Sequence, residues 1–120
     1  MKKIILILLV FFGFSNAKEY TVNTYTVVID VNSTKVNGLS WDFVGGSPDI
    51  FIKVDNREVK FNSKCKNQYR CSITFISEEK SYWYFEVYDK DVNSDDLIGK
   101  GDCLINKECQ LGQASLSIRD

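Results

Sequence analysis

Tyr82-Trp83-Tyr84-Phe85-Glu86-Val87-Tyr88 puts Trp83, Phe85 and Val87 on one side of an extended chain, and the run stops in acid at Asp89. A period of two built from aromatic and β-branched residues marks a strand buried on one face. Asp89-Lys90-Asp91-Val92-Asn93-Ser94-Asp95-Asp96-Leu97-Ile98-Gly99 follows, with four carboxylates in eight residues before an apolar pattern resumes. A strand that ends in acid and restarts in apolar residues describes a loop at the end of a sheet. Two carboxylates about 4 Å apart repel by roughly 1 kcal/mol in water and by several times that near a protein surface. Calcium would relieve that repulsion, because it takes roughly six to eight hard oxygen ligands and aspartate supplies them singly or in pairs. A solvated turn is the plain alternative, since Asp, Asn and Ser are ordinary turn formers.

The same alternation recurs along the chain. Tyr25, Val27, Ile29 and Val31 form one apolar face, Ile50, Ile52 and Val54 another, and Ile73 and Phe75 a third. Residues 97–105 and 114–118 add two further strands, and 58–62 reads as a short return strand after the Asp55-Asn56 turn. Gly45-Gly46-Ser47-Pro48 is the clearest break and holds the only proline. No window keeps a helical period. Short strands at regular intervals with polar connections predict an all-β protein, an antiparallel β-sandwich of about eight strands.

The first residues set the expected compartment. Lys2-Lys3, an apolar run over 4–14 and the small residues Ser15-Asn16-Ala17 have the order of a secretory signal peptide cleaved after Ala17. The apolar run falls short of the roughly 20 residues a bilayer span needs. The expected organisation is a leader over 1–17 and one domain over 18–120, exported to a periplasm or secreted. Without Lys2 and Lys3, thirteen basic residues face sixteen acidic ones, a net charge of −3, which argues against a nucleic-acid partner. Four cysteines remain, Cys65, Cys71, Cys103 and Cys109, in two pairs of equal spacing. In an oxidising compartment an even count reads as disulfides. Three pairings can be drawn, and Cys65–Cys71 with Cys103–Cys109 closes the shortest loops. A zinc site of four thiolates fits less well, because neither pair has the shorter spacing such sites favour.

A second acidic loop precedes the Ile50–Val54 strand: Asp42-Phe43-Val44-Gly45-Gly46-Ser47-Pro48-Asp49. Its glycines permit positive φ, which lets backbone carbonyls turn inward over an ion. Asp42 through Val54 resembles the first calcium loop and following strand of C2 domains, and Val87-Tyr88-Asp89-Lys90-Asp91 through Asp96-Leu97-Ile98-Gly99 resembles their third loop. The 25–31 strand is similar to the opening strand of that family. The chain departs from the family pattern in three places: the first loop is one residue longer between its aspartates, the third about one shorter, and Pro48 precedes Asp49.

The resemblance implies a C2-like sandwich with calcium held by Asp42, Asp49, Asp89, Asp91 and Asp96, with Asn93 and Asp95 as further candidate ligands. It also implies docking to a phospholipid surface, with Phe43, Val44 and Val92 at the loop tips; one buried apolar side chain contributes about 1.5–3 kcal/mol. An EF-hand does not fit. Asp89, Asp91 and Asn93 match its first three ligand positions, but Ser94 stands where its glycine belongs and Lys100 where its bidentate Glu belongs. The lysines and arginines of 53–70 are interrupted by Asp55 and Glu58 and read as a solvated face. No enzyme is expected: the chain has no His and no Ser-nucleophile motif, and its Cys are better used as bridges. The function expected from the sequence is an exported calcium-binding module docking through its acidic loops to a membrane or a protein partner. The alternative is a metal-independent, exported protein–protein interaction module on the same sandwich.

Overall fold

The computed structural model describes residues 3–11, 15–34, 38–39, 47–91 and 94–120, with side chains from residue 21 onward. Among them run β1 (Lys3–Phe11), β2 (Ser15–Val31), β3 (Ile50–Val54), β4 (Arg57–Glu58), β5 (Arg70–Glu78), β6 (Tyr82–Asp89), β7 (Asp96–Leu104), β8 (Glu108–Leu111) and β9 (Ala114–Arg119). A 3-10 turn, Ser63–Cys65, lies between β4 and β5. One sheet has the order β5-β2-β9-β8 and the other β4-β3-β6-β7, with every pairing antiparallel. The expected antiparallel sandwich is the fold of this chain.

Alternation in the sequence becomes burial. Tyr25, Val27 and Ile29 of β2 face Ile52, Trp83 and Phe85 of the other sheet, all but closed to solvent. Trp83 organises this core. Its ring meets Tyr25 edge-on at 4.6 Å and Phe75 at 5.6 Å, and its Nε1 donates to Ser77 Oγ at 2.8 Å. Satisfying the indole N–H is what makes full burial of a tryptophan tolerable. At the same end Asn23 is buried and donates to Tyr25 Oη at 2.9 Å.

The N-terminal run read as a leader includes β1, which among the described residues pairs with the first part of β2 alone. The ladders of β2 with β5 and β9 begin at Val22 and Thr26, largely beyond the stretch that β1 covers. Two expectations change. The return strand expected over 58–62 is the two-residue β4, and β8 was not anticipated. The β3–β4 hairpin turns on Asp55 and Asn56 with φ of 49° and 66°, left-handed values that Asn and Asp tolerate. The Asp55 carboxylate takes the Tyr84 N–H at 2.9 Å and the Lys80 ammonium at 2.6 Å. Burial works against its ionisation, but Lys80, the Tyr84 N–H and Arg57 together bring its pKa below the ordinary value.

The cysteines pair as Cys65–Cys71 and Cys103–Cys109, with Cα separations of 5.3 and 5.7 Å. Their equal spacing has a structural reason. The chain passes from one sheet to the other between β4 and β5 and again between β7 and β8, at the two opposite edges of the sandwich, and each crossing carries one bridge. Replacing either pair by serine is expected to lower stability by about 2 kcal/mol, the chain-entropy value for so short a loop. Urea unfolding of the two double variants against the parent measures it. Unchanged midpoints would show that the bridges do not constrain the unfolded chain.

Candidate metal centre

Strand β6 delivers Asp89 to the end of the sheet on the same face as Trp83, Phe85 and Val87, so its side chain points between the sheets and is fully buried. Burying a carboxylate is costly unless something compensates it. One compensation is visible: the backbone N–H of Asp49 donates to Asp89 Oδ1 at 2.9 Å.

A β-bulge supplies the next residue. Val87 pairs with Gly99, but Tyr88 pairs with Leu97 and Asp89 with Asp96, so Ile98 is an extra residue on β7. Without it Asp89 would face Leu97. With it, two carboxylates stand directly opposite each other on neighbouring strands, an arrangement that destabilises a sheet unless a cation joins them. Asp91 completes the group. One carboxylate oxygen from each of Asp89, Asp91 and Asp96 lies within 4.8 Å of the others. At that spacing each ionised pair repels by about 3 kcal/mol at an effective dielectric constant near 20. All three donors are hard oxygens, the set that suits calcium or magnesium rather than zinc or copper.

The flanking lysine lies elsewhere. Lys90 Nζ sits over the rings of Phe51 and Phe61 at 5.7 and 5.6 Å, on the outer side of the β3–β6 sheet. Phe51 stacks there on Tyr88 at 5.1 Å, and Lys53 lies over the Tyr88 ring. The strand pleat thus sends Asp89 inward while the neighbouring positive charge is spent on aromatic faces.

Asp49 belongs to the same end of the molecule in a different role. Its N–H holds Asp89, its C=O accepts the Lys90 N–H at 2.8 Å, and its Oδ1 accepts the Asn67 N–H at 2.7 Å. The Pro48 carbonyl accepts the Gln68 N–H beside it. The end of the first acidic loop is therefore stitched to the third. The carboxylate of Asp49 is engaged with residue 67, outside the group of three. Asp95 is exposed and its Oδ1 accepts the Asp91 N–H at 3.0 Å, closing the loop as an Asx-type turn does. Asp42, Phe43, Val44, Val92 and Asn93 lie outside the described residues. Sequence reasoning did not find the bulge, although a glycine inside a strand, here Gly99, often marks one.

Tyr88 gives this end of the sheet a spectroscopic handle. Its hydroxyl donates to Glu86 Oε2 at 2.8 Å, and that carboxylate, then burial, push its pKa up to about 12 from the ordinary 10. A raised pKa means the neutral phenol is favoured by folding. The stabilisation is fully present below pH 10 and is lost as pH rises through 12. Ultraviolet titration should show one late tyrosinate that disappears in Tyr88→Phe and moves down in Glu86→Gln. A titration curve unchanged in Tyr88→Phe at its alkaline end would refute the assignment.

The chain matches no protein-family model and none of the curated proteins. What is established is therefore the class its own structure defines: an antiparallel β-sandwich, stapled at both edges by disulfides, with three aspartates gathered at one end.

Proposed function

We propose that this chain is an exported calcium-binding module on a C2-like sandwich, docking through its acidic end to a phospholipid surface or a protein partner. The observation that carries the reading is the convergence of Asp89, Asp91 and Asp96 with Asp89 fully buried. A cation at this point would offset the mutual repulsion and would gain direct oxygen ligands. Asp89 and Asp96 sit on paired strands, so the sheet presets two of the donors, and Asp91 comes from the loop between them. Asp42 and Asp49, with Asn93 and Asp95 as further candidates, are proposed to fill the remaining positions, with Phe43, Val44 and Val92 as the apolar tips of the docking surface. The two bridges fit life in an oxidising compartment. A non-enzymatic role goes with a site made of hard oxygen donors and a chain without histidine.

Calorimetric titration of the oxidised protein with calcium tests the reading, together with melting in calcium and in chelator. A ligand at about 100 times its dissociation constant raises stability by roughly 2.7 kcal/mol. Magnesium should achieve less, because it demands tight octahedral geometry and keeps its waters. Repeating the titration with anionic and neutral vesicles separates lipid docking from simple ion binding. Identical melting in calcium and chelator would sink the metal reading and leave the metal-independent interaction module.

A further inference from the structure

Strand β5 is the open side of the sandwich. It pairs with β2 along its whole length, and among the described residues no strand lies on its other side. Apart from β1, which lies in the run read as a leader, the remaining strand edges among the described residues are protected. Strand β4 is two residues long, β8 is four, and β7 is closed by the Cys103–Cys109 bridge and by Gln113 donating to the Ile98 carbonyl at 3.1 Å. Natural sheets blunt their edges with lysine, proline or bulges. Over its nine residues β5 has no lysine, no proline and no break in register. Ser72, Thr74 and Ile76 stand exposed on its outer face, Ile76 at 64%. A groove of about 630 Å³ floored by Val54, Val59 and Phe75 opens along the same edge, so a strand added to β5 would cover it.

The sequence of the edge says which strand fits. In an antiparallel pairing of β5 with β5 of a second copy, a two-fold axis at Thr74 sets each residue opposite the one equidistant from that centre. Arg70 then faces Glu78 of the second copy, and Glu78 faces its Arg70, one opposite-charge pair at each end. Ser72 faces Ile76, and Thr74 faces Thr74, a small polar pair at the axis. All of these side chains lie on the exposed face. Arg70 also reaches Asp30 of its own chain at 3.4 Å with its side chain still 68% exposed, which leaves guanidinium donors for a second carboxylate.

We infer that this face is the interface of a two-fold dimer, in which β5 of two copies join edge to edge and the sheets run on as β8-β9-β2-β5-β5-β2-β9-β8. The pairing is isologous, so it closes at two and does not propagate. One nine-residue ladder is a small interface, and the dimer belongs to the weak, micromolar class.

Sedimentation velocity of the oxidised chain, from an exporting host, between about 1 µM and 1 mM tests this. The parent should pass from monomer to dimer across that range. Thr74→Lys places two ammonium groups against each other at the axis and should leave a monomer with parental circular dichroism and melting. Glu78→Arg turns both end pairs repulsive and should weaken the dimer about tenfold. Arg70→Glu combined with Glu78→Arg, in an Asp30→Asn background so that the new carboxylate faces none of its own chain, exchanges the two charges and should return the affinity to within about threefold of the Asp30→Asn protein. A parent that stays monomeric throughout overturns the proposal and leaves the edge to a foreign strand. A dimer indifferent to Thr74→Lys, or one the double exchange fails to restore after Glu78→Arg has weakened it, overturns this pairing.

Discussion

Asp89→Asn is expected to have opposite effects in the presence and absence of calcium. In chelator the variant should melt higher than the parent, because the change removes one charge from the Asp89–Asp96 cross-strand pair and from the group of three. Asparagine keeps the Oδ1 that accepts the Asp49 N–H, so the local backbone does not lose its anchor. A gain of about 1 kcal/mol corresponds to roughly 4–8 °C in a domain of this size. In calcium the variant should lose most of the parent's rise, since a neutral amide is a weaker ligand for a hard cation. Asp102→Asn, exposed on β7, is the control and should follow the parent in both buffers. Differential scanning fluorimetry of the three proteins reads all of this. Should Asp89→Asn respond to calcium as the parent does, the loop is a solvated acidic turn.

Gly99→Ala is expected to be the most damaging glycine-to-alanine change among the described residues. Gly99 follows the bulge on β7, buried, where the edge of one sheet meets the β8–β9 turn of the other. A Cβ built there overlaps the Leu111 carbonyl and comes within 3.0 Å of the Gly112 nitrogen. Those are backbone atoms, and they have little room to retreat. Gly112 is held at a φ of +57°, its neighbour Gln113 donates to the Ile98 carbonyl, and the Cys103–Cys109 bridge pins the same two strands. The cost should reach at least about 3 kcal/mol, the upper end for overpacking, against a total stability of roughly 5–15 kcal/mol. Because Gly99 sits beside the bulge that sets Asp96 against Asp89, the same variant should weaken any calcium response. Gly38→Ala is the control: φ is +80° there, but none of the described residues lies within 4 Å, so the expected cost is the backbone strain of roughly 1–2 kcal/mol. Equal urea midpoints for the two variants would show that the strand edge yields more easily than its geometry implies.

Most of the strands, β8 excepted, and the faces they bury were legible in the alternation of the chain. A period of two is a local property, and in 25–31, 50–54 and 82–88 the apolar positions it names are the ones closed to solvent. The sequence favoured the disulfide pairing that formed, since of the three pairings that can be drawn this one closes the shortest loops. It assembled a set of acidic residues but could not sort them, because strand spacing says which residues share a face and not which residue a neighbouring strand sets opposite. That was decided by the Ile98 bulge, which exchanges Leu97 for Asp96 as the partner of Asp89. The tertiary structure also showed what no spacing could: the main chain of Asp49 holds Asp89, and one of its carboxylate oxygens accepts the N–H of residue 67. The length of β4 belongs to the same category, as does the open edge it leaves beside β5. A strand's pattern records its two faces; its edges, and whatever comes to lie against them, depend on chain far away in sequence, and only packing determines that.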